Sequence, residues 1–272
     1  MLKVLSLGAG VQSSTVLMMS IVGELDRLDC AIFADTQWEP PAVYRHLEWL
    51  ETQAQAASIP IYRVTAGNIR EDAKTATVRG RKADGEKYSS LPFHTITKGK
   101  KGILKRQCTN QYKIEPIEKE IRRLLGLKYR SPWPKEPVVE QWFGISGDEA
   151  RRVRLPDARW KTHRYPLVFE KWMRRHDCLR WMGEHGFPQP PRSACIGCPL
   201  HRASEWRAIR DDSTLWADVV EVDEAVRDRG GLRGQLFLHR NAVPLVQIDF
   251  TTPEERGQMS GFVDECLGYC GN

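Results

Sequence analysis

Two segments of this chain carry residue types at spacings that do chemistry. The first is Gly8-Ala9-Gly10-Val11-Gln12-Ser13-Ser14, which follows the apolar run Leu2 to Leu7. Small residues let backbone N–H groups approach an anion closely, and a helix starting there aims its positive end at the same point. The hydroxyls of Ser13 and Ser14 add donors. The Gly-Lys-Ser/Thr ending of a Walker loop is absent. The alternative is a strand–helix turn in which glycine serves geometry alone. The second segment is Ser193-Ala194-Cys195-Ile196-Gly197-Cys198-Pro199. Its two thiolates are spaced to grip one metal, with Gly197 for a tight turn and Pro199 as a stop. The same spacing serves a redox pair or two buried structural thiols.

The other cysteines divide by context. Cys30 sits in an apolar strand and Cys178 in an apolar helical pattern, so both belong to the core. Cys266 and Cys270 are four apart and share one face if helical. His201, close behind Cys198, is a candidate ligand or a group supporting one, against an exposed or capping histidine. Lys98, Lys100, Lys101, Lys105 and Arg106 form a basic run without an acid. It reads as a solvated flap, a lid over polyphosphate or a track for a nucleic-acid backbone. The run has no interleaved aromatics for stacking single strands.

These residues need a scaffold. The pattern predicts strands at 3–7, 29–34 and 59–64, alternating with helices at 13–22 and 41–57, and Pro41 suits a first helical turn. Alternation of this kind implies βαβ units and a parallel sheet. Residues 79–105 read as a long loop or flap, 112–125 as a helix and 138–145 as a buried strand. Past about residue 164 the pattern turns helical, at 176–185, 204–210 and 215–227, around the cysteine segment. Residues 235–250 read as a hairpin with a turn near Asn241. The expected domains are a nucleotide-binding α/β part over 1–165 and a mainly helical part over 166–272.

Composition sets outer limits. The chain has 272 residues, 41% of them hydrophobic and 28% charged, with a net charge of +6. That is ample for a core without staples, and the mild positive bias suits a nucleotide, sulfonucleotide or nucleic acid. No run approaches the ~20 apolar residues of a membrane span. Gln12-Ser13-Ser14 interrupts the first apolar run, so no signal peptide is expected. A cytoplasmic protein is expected, with its seven cysteines free, catalytic or metal-bound rather than paired.

Four segments, in order over roughly residues 1–165, resemble the PP-loop or N-type ATP pyrophosphatase superfamily and its phosphoadenosine phosphosulfate (PAPS) reductase-like family. The loop at Gly8 to Ser14 resembles that superfamily's Ser-Gly-Gly-x-Asp-Ser, with Gly8 in place of the first serine and Gln12 in place of the aspartate. Phe33-Ala34-Asp35-Thr36-Gln37-Trp38-Glu39-Pro40 is similar to the Asp-Thr segment after the second strand of sulfonucleotide reductases. The run from Cys108 through Lys113 to Pro116 is similar to their Cys…Lys-x-x-Pro. The run from Gly144 to Arg152 is similar to their Gly-Ile-Arg-x-x-Glu-Ser-x-x-Arg. The resemblance implies that Gly8, Ala9, Gly10, Gln12, Ser13 and Ser14 hold nucleotide phosphates and that Asp35 and Thr36 lie near the nucleoside. Lys113 and Arg152 become cationic partners for phosphate or sulfate oxygens; on type alone they are ordinary surface cations. The lost carboxylate at Gln12 departs from the family's magnesium arrangement.

The resemblance also bears on the cysteines. Adenylylsulfate-reducing members hold a [4Fe–4S] cluster with a Cys-Cys pair before Lys-x-x-Pro and a later Cys-x-x-Cys. Here Cys108 is followed by Thr109, which leaves Cys108, Cys195 and Cys198. Three-cysteine clusters with an open iron occur among nucleic-acid thiolases of the superfamily; zinc is the alternative metal. Glu265-Cys266 is similar to a reductase tail whose cysteine is the nucleophile, so Cys266 and Cys270 are candidates for that role or for a fourth ligand.

The expected fold is α/β, a doubly wound, mainly parallel sheet of the adenine nucleotide alpha hydrolase-like kind, with a helical cysteine-bearing C-terminal region. The expected function is an ATP pyrophosphatase-type enzyme that adenylates an acceptor and transfers sulfur with an iron–sulfur cluster. Its partners are ATP, a nucleic-acid or small-molecule acceptor, and a cysteine desulfurase or thiol donor. One alternative is reduction of adenylyl-sulfate (APS) or its 3′-phosphorylated form (PAPS) to sulfite. The other is a non-catalytic nucleotide- or nucleic-acid-binding protein with a structural zinc.

Overall fold

The computed structural model describes residues 1–75, 90–128, 130–229 and 234–251. Along the chain run β1 (Leu2–Leu7), α1 (Val11–Ile21), β2 (Cys30–Asp35), α2 (Pro41–Ala56), β3 (Ile61–Thr65) and α3 (Ile69–Thr75). Then come β4 (His94–Thr97), β5 (Lys100–Ile103), α4 (Glu115–Leu124), β6 (Val139–Phe143), β7 (Lys161–Arg164) and α5 (Pro166–Phe169). The last are α6 (Arg175–Glu184), α7 (Ala203–Asp211), α8 (Ser213–Val226) and β8 (Gln235–Phe237).

Contacts divide the chain into two compact units, each built from two segments. One is Met1–Ala66 with Tyr112–Ala194, and the other is Gly67–Gln111 with Cys195–Asn272. The expected boundary at 165 falls inside the first unit.

The first unit holds a five-stranded sheet in the order β3-β2-β1-β6-β7. Every neighbouring pair is parallel. Its strands show why both faces are covered. Leu5, Leu7, Ala31 and Phe33 pack with α1, α2 and α6 on one face, through Val16, Leu47 and Trp181. Val4, Cys30, Ile32 and Ala34 pack with Ile117 and Ile121 of α4 on the other. Strands buried on two faces need near-continuous apolar runs, which is what β1 and β2 have. The fold is therefore α/β, with a doubly wound parallel sheet.

The second unit holds a three-stranded antiparallel sheet, β5-β4-β8, with α3, α7 and α8. Three expectations change. The 79–105 flap contains the β4–β5 hairpin; its residues before 90 lie outside the described part. The 235–250 hairpin is absent: β8 finds its partner in β4, and the chain then turns through a short 3-10 helix, Leu245–Gln247. Strand β7 was not foreseen, because Lys161-Thr162-His163-Arg164 lacks an apolar run. Its place is set by pairing with β6. Among the described residues no helix is long and apolar enough to cross a membrane.

Candidate functional site

The strand order reverses at β1. The chain steps outward from β1 to β2 and β3, then returns to lay β6 on the other side of β1. In open parallel sheets such a reversal leaves a crevice beyond the carboxyl ends of the two strands. The loop Gly8–Gly10 leaves β1 there, and Gly144–Ser146 leaves β6 beside it. The two loops touch. A Cβ on Gly144 would lie 2.5 Å from the Ser13 nitrogen and 2.6 Å from its Cα. Gln12 Nε2 donates to Ser146 Oγ at 3.3 Å and to Glu149 Oε2 at 3.4 Å.

The loop has the form of an anion cradle. Ala9 adopts a left-handed φ of 51° although it is not glycine. Such backbone is held only where surroundings impose it. No side chain caps α1 and its first turn has no acid. Its first N–H groups thus stay available to an anion, and the helix dipole favours negative charge there. Ser193 packs over the loop, its Cβ 3.1 Å from where a Cβ on Gly10 would sit.

The two serines do different things from those expected. Ser13 Oγ accepts from the Gly8 N–H at 3.1 Å and donates to the Gly10 carbonyl at 3.4 Å, so it shapes the loop. Ser14 is fully buried and its hydroxyl meets His46 Nε2 at 3.0 Å. It serves the core, not the loop face. His46 stacks on Trp49, and burial pushes its imidazole down to about 4.

A pH dependence follows. Below its ordinary value of about 6.5 the unfolded chain takes up a proton at His46 that the folded chain refuses until about pH 4. Stability should therefore fall as pH drops through that window, by about 3 kcal/mol in all. His239 of the second unit, also pushed down to about 4 by burial, adds a similar loss. Urea midpoints measured from neutral pH down to about 4.5 check this. His46→Gln keeps a partner for Ser14 and should flatten the slope; an unchanged slope would refute it.

Cations surround the cradle. Arg152 donates to Glu149 Oε2 at 2.9 Å. Arg175, first residue of α6, reaches Gln12 Oε1 at 3.5 Å, and its backbone N–H donates to Asp148 Oδ1 at 3.2 Å. Burial first, and the neighbouring Arg192 charge second, hold its guanidinium below the ordinary arginine value. Two guanidiniums near one another are an arrangement that an anion stabilises.

A second group lies past β2. Asp35 accepts from the Gln37 N–H at 2.7 Å and the Tyr44 hydroxyl at 2.8 Å. Thr36 is buried and donates to Glu39 Oε1 at 3.3 Å. Lys113 donates to the same oxygen at 3.2 Å. Lys113 and Arg152 thus sit on separate short helical turns, Asn110–Ile114 and Gly147–Arg152, each with a carboxylate.

From Cys195 to Pro199 the cysteine segment belongs to the second unit and is a tight turn. The Cys198 N–H donates to the Cys195 carbonyl at 3.1 Å. His201 Nε2 lies 3.0 Å from the Cys195 carbonyl and 2.9 Å from that of Ile196, and Nδ1 lies 3.3 Å from Glu205 Oε2. Carbonyls only accept, so Nε2 carries a hydrogen and donates; His201 braces the turn and is not a ligand through that nitrogen. The Cys108 N–H donates to the Ser90 carbonyl at 2.9 Å. Among the described residues no three His, Cys, Asp or Glu side chains gather as a metal-ligand set. The expected convergence of Cys108 with Cys195 and Cys198 is therefore not seen. The turn offers two thiolates, half of a tetrathiolate set. Cys266 and Cys270 lie outside the described residues. Cys30 and Cys178 are core residues whose thiols burial pushes up to about 12.

No protein-family model matches this sequence, and no curated protein matches it. Among solved structures the chain is similar to a crystal structure of phosphoadenylyl-sulfate (PAPS) reductase from Candida auris in complex with phosphate. The identity is 13%, the match covers 70% of this chain and 75% of that one, and the TM-score is 0.39.

Several residues at the cradle carry no sequence signal of their own. Ser146 and Gly144 lay inside a segment read for Arg152. Arg175 stands in the cationic run Arg174-Arg175-His176, and Arg192 and Ser193 precede the cysteine turn. Only chain folding brings them to Gln12 and Gly10, more than 130 residues away in sequence.

Proposed function

We propose that this chain is an ATP pyrophosphatase-type enzyme that adenylates an acceptor and passes sulfur to it. The observation that carries the reading is the uncapped glycine loop at the strand-order reversal, with Gln12, Arg152 and Arg175 around it. Backbone N–H groups and fixed guanidiniums are the donors that stabilise charge on transferred phosphoryl groups.

A nucleophilic atom of the acceptor attacks the α-phosphorus of ATP. The bond from that phosphorus to the α,β-bridging oxygen breaks, leaving acceptor–AMP and pyrophosphate. The terminal sulfur of a persulfide on a cysteine desulfurase then displaces AMP and leaves a disulfide between acceptor and donor. A second thiol attacks the donor-side sulfur, breaks the S–S bond and frees the thiolated acceptor, the two thiols ending as a disulfide. The cradle N–H groups hold phosphate oxygens in line, and Arg175 with Arg192 offsets the charge that grows on the leaving pyrophosphate. The sulfur half of the reading is supported by the Cys195–Cys198 turn and the ordered sequence resemblance. A cluster held there with Cys108 would need a ligand set beyond the one described. Iron and sulfide analysis of anaerobically purified protein tests it.

Arg175→Gln and Arg192→Gln should each weaken ATP binding by about tenfold to a hundredfold, the worth of a charge-assisted hydrogen bond. AMP, which lacks the β- and γ-phosphates, should be affected less. Calorimetry with both nucleotides checks this, and equal losses for ATP and AMP would refute the assignment. Acceptor-dependent release of pyrophosphate from ATP supports the whole reading. Sulfite release from adenylyl-sulfate with a reduced thiol donor, and none of pyrophosphate from ATP, would overturn it.

A further inference from the structure

Strands β4 and β5 form a hairpin whose tip is charged on one sign only. Thr97 pairs with Lys100 across the two-residue turn Lys98-Gly99. Both turn residues have positive φ, 50° and 75°, which is the turn that matches strand twist. The base is rigid. Thr95 is buried, Phe93 is fully buried, and β4 pairs with β8 along its other edge. His94 Nε2 donates to the Pro199 carbonyl at 3.1 Å. The tip and outer strand are exposed from Lys98 to Ile103, as are Lys105 and Arg106. Five cations, Lys98, Lys100, Lys101, Lys105 and Arg106, fall in nine residues, and no acid occurs from His94 to Arg106. Among the described residues none of the five is ion-paired.

Lysines on an edge strand guard against pairing with another chain. That accounts for Lys100 or Lys101, but not for cations at the turn and beyond the strand. Successive side chains on a strand point to opposite faces, so Lys100 and Lys101 charge both sides of the ribbon.

We propose that this hairpin docks in the major groove of duplex DNA, its lysines meeting the phosphates on either side. A B-form major groove, about 12 Å wide, admits a two-stranded ribbon. The deep, narrow major groove of A-form RNA does not. The hairpin has no Phe, Tyr or Trp from residue 94 to 106, so it lacks the platform that stacks single-stranded bases. The proposal stands on the hairpin alone and does not depend on the nucleotide reading.

The test is fluorescence anisotropy of the full chain with a labelled DNA duplex of about two helical turns, over a range of salt. The same sequence is run as RNA duplex and as single strand. A triple variant, Lys98→Gln, Lys100→Gln and Lys101→Gln, should lower duplex affinity about tenfold or more. It should also cut the log–log salt slope by about 0.9 for each phosphate that is no longer neutralised. A control triple with the same net charge, Lys119→Gln, Lys128→Gln and Lys135→Gln, should bind as the parent does. If the first triple shows no cooperative melting, Lys105→Gln with Arg106→Gln, beyond the strand, replaces it. Equal effects of the hairpin and control triples would overturn the proposal. So would RNA duplex or single-strand binding as tight as that of duplex DNA, or no duplex binding at low salt.

Discussion

Gly10→Asp is expected to abolish ATP binding, lowering affinity at least about a hundredfold, or roughly 2.7 kcal/mol. The carboxylate would stand at the N-cap of α1, where the phosphate is placed, and would itself occupy the first-turn N–H groups. Aspartate is a favourable N-cap residue, so the helix gains a partner and the fold should survive. The added Cβ would lie 3.1 Å from the Ser193 Cβ, which must yield by a few tenths of an ångström. Gly10→Ala makes the same demand without the charge, and it should bind ATP far better than Gly10→Asp. Calorimetry on folded variants checks both. Unchanged ATP affinity in Gly10→Asp would remove the loop from the site. The hairpin proposal would be untouched, since its cations belong to the other unit.

The second large effect is on stability. Gly144→Ala places a methyl group 2.5 Å from the Ser13 nitrogen, 2.6 Å from its Cα and 2.8 Å from the Gln12 carbonyl carbon. All three are backbone atoms, so no side chain can swing away. Forced overpacking of this kind costs about 3 kcal/mol. The urea midpoint should fall accordingly, and the α1 N-terminus should shift away from β6, weakening ATP binding in whatever fraction remains folded. A midpoint equal to the parent's would mean that β6 and α1 do not meet at this point. Gly126→Ala, where nothing lies within 4 Å but φ is 68°, serves as a comparison that carries backbone strain without crowding.

Much of the first unit was legible because its signals are local. Leu2 to Leu7 and Cys30 to Ala34 are too apolar to have a wet face, so they announced strands covered on both sides. The glycine loop between a strand and a helix marked the cradle, and Asp35 closed β2 as read. Strand β7 was missed because its residues are polar and its existence depends on a hydrogen-bonded neighbour, β6. The 235–250 hairpin was misread for the same reason. Alternation identifies a strand but not its partner, and β8 pairs with a strand some 140 residues earlier.

The site divides along the same line. Residue type and spacing by themselves determined where a glycine loop joins β1 to α1, that Cys30 and Cys178 are core, and that Cys195 and Cys198 share one turn. Each of those depends on contacts within a few residues. Tertiary structure alone decided that the cradle opens at the reversal between β1 and β6. It placed Ser146, Glu149 and Arg175 on Gln12, and Ser193 over Gly10. It turned Ser14 inward to His46, although on paper its hydroxyl looked as available as that of Ser13. Among the described residues no three-ligand set of His, Cys, Asp or Glu is gathered, Cys108 included. Which groups a loop meets is set by the packing of helices and strands brought together from distant parts of the chain, and no local pattern records that.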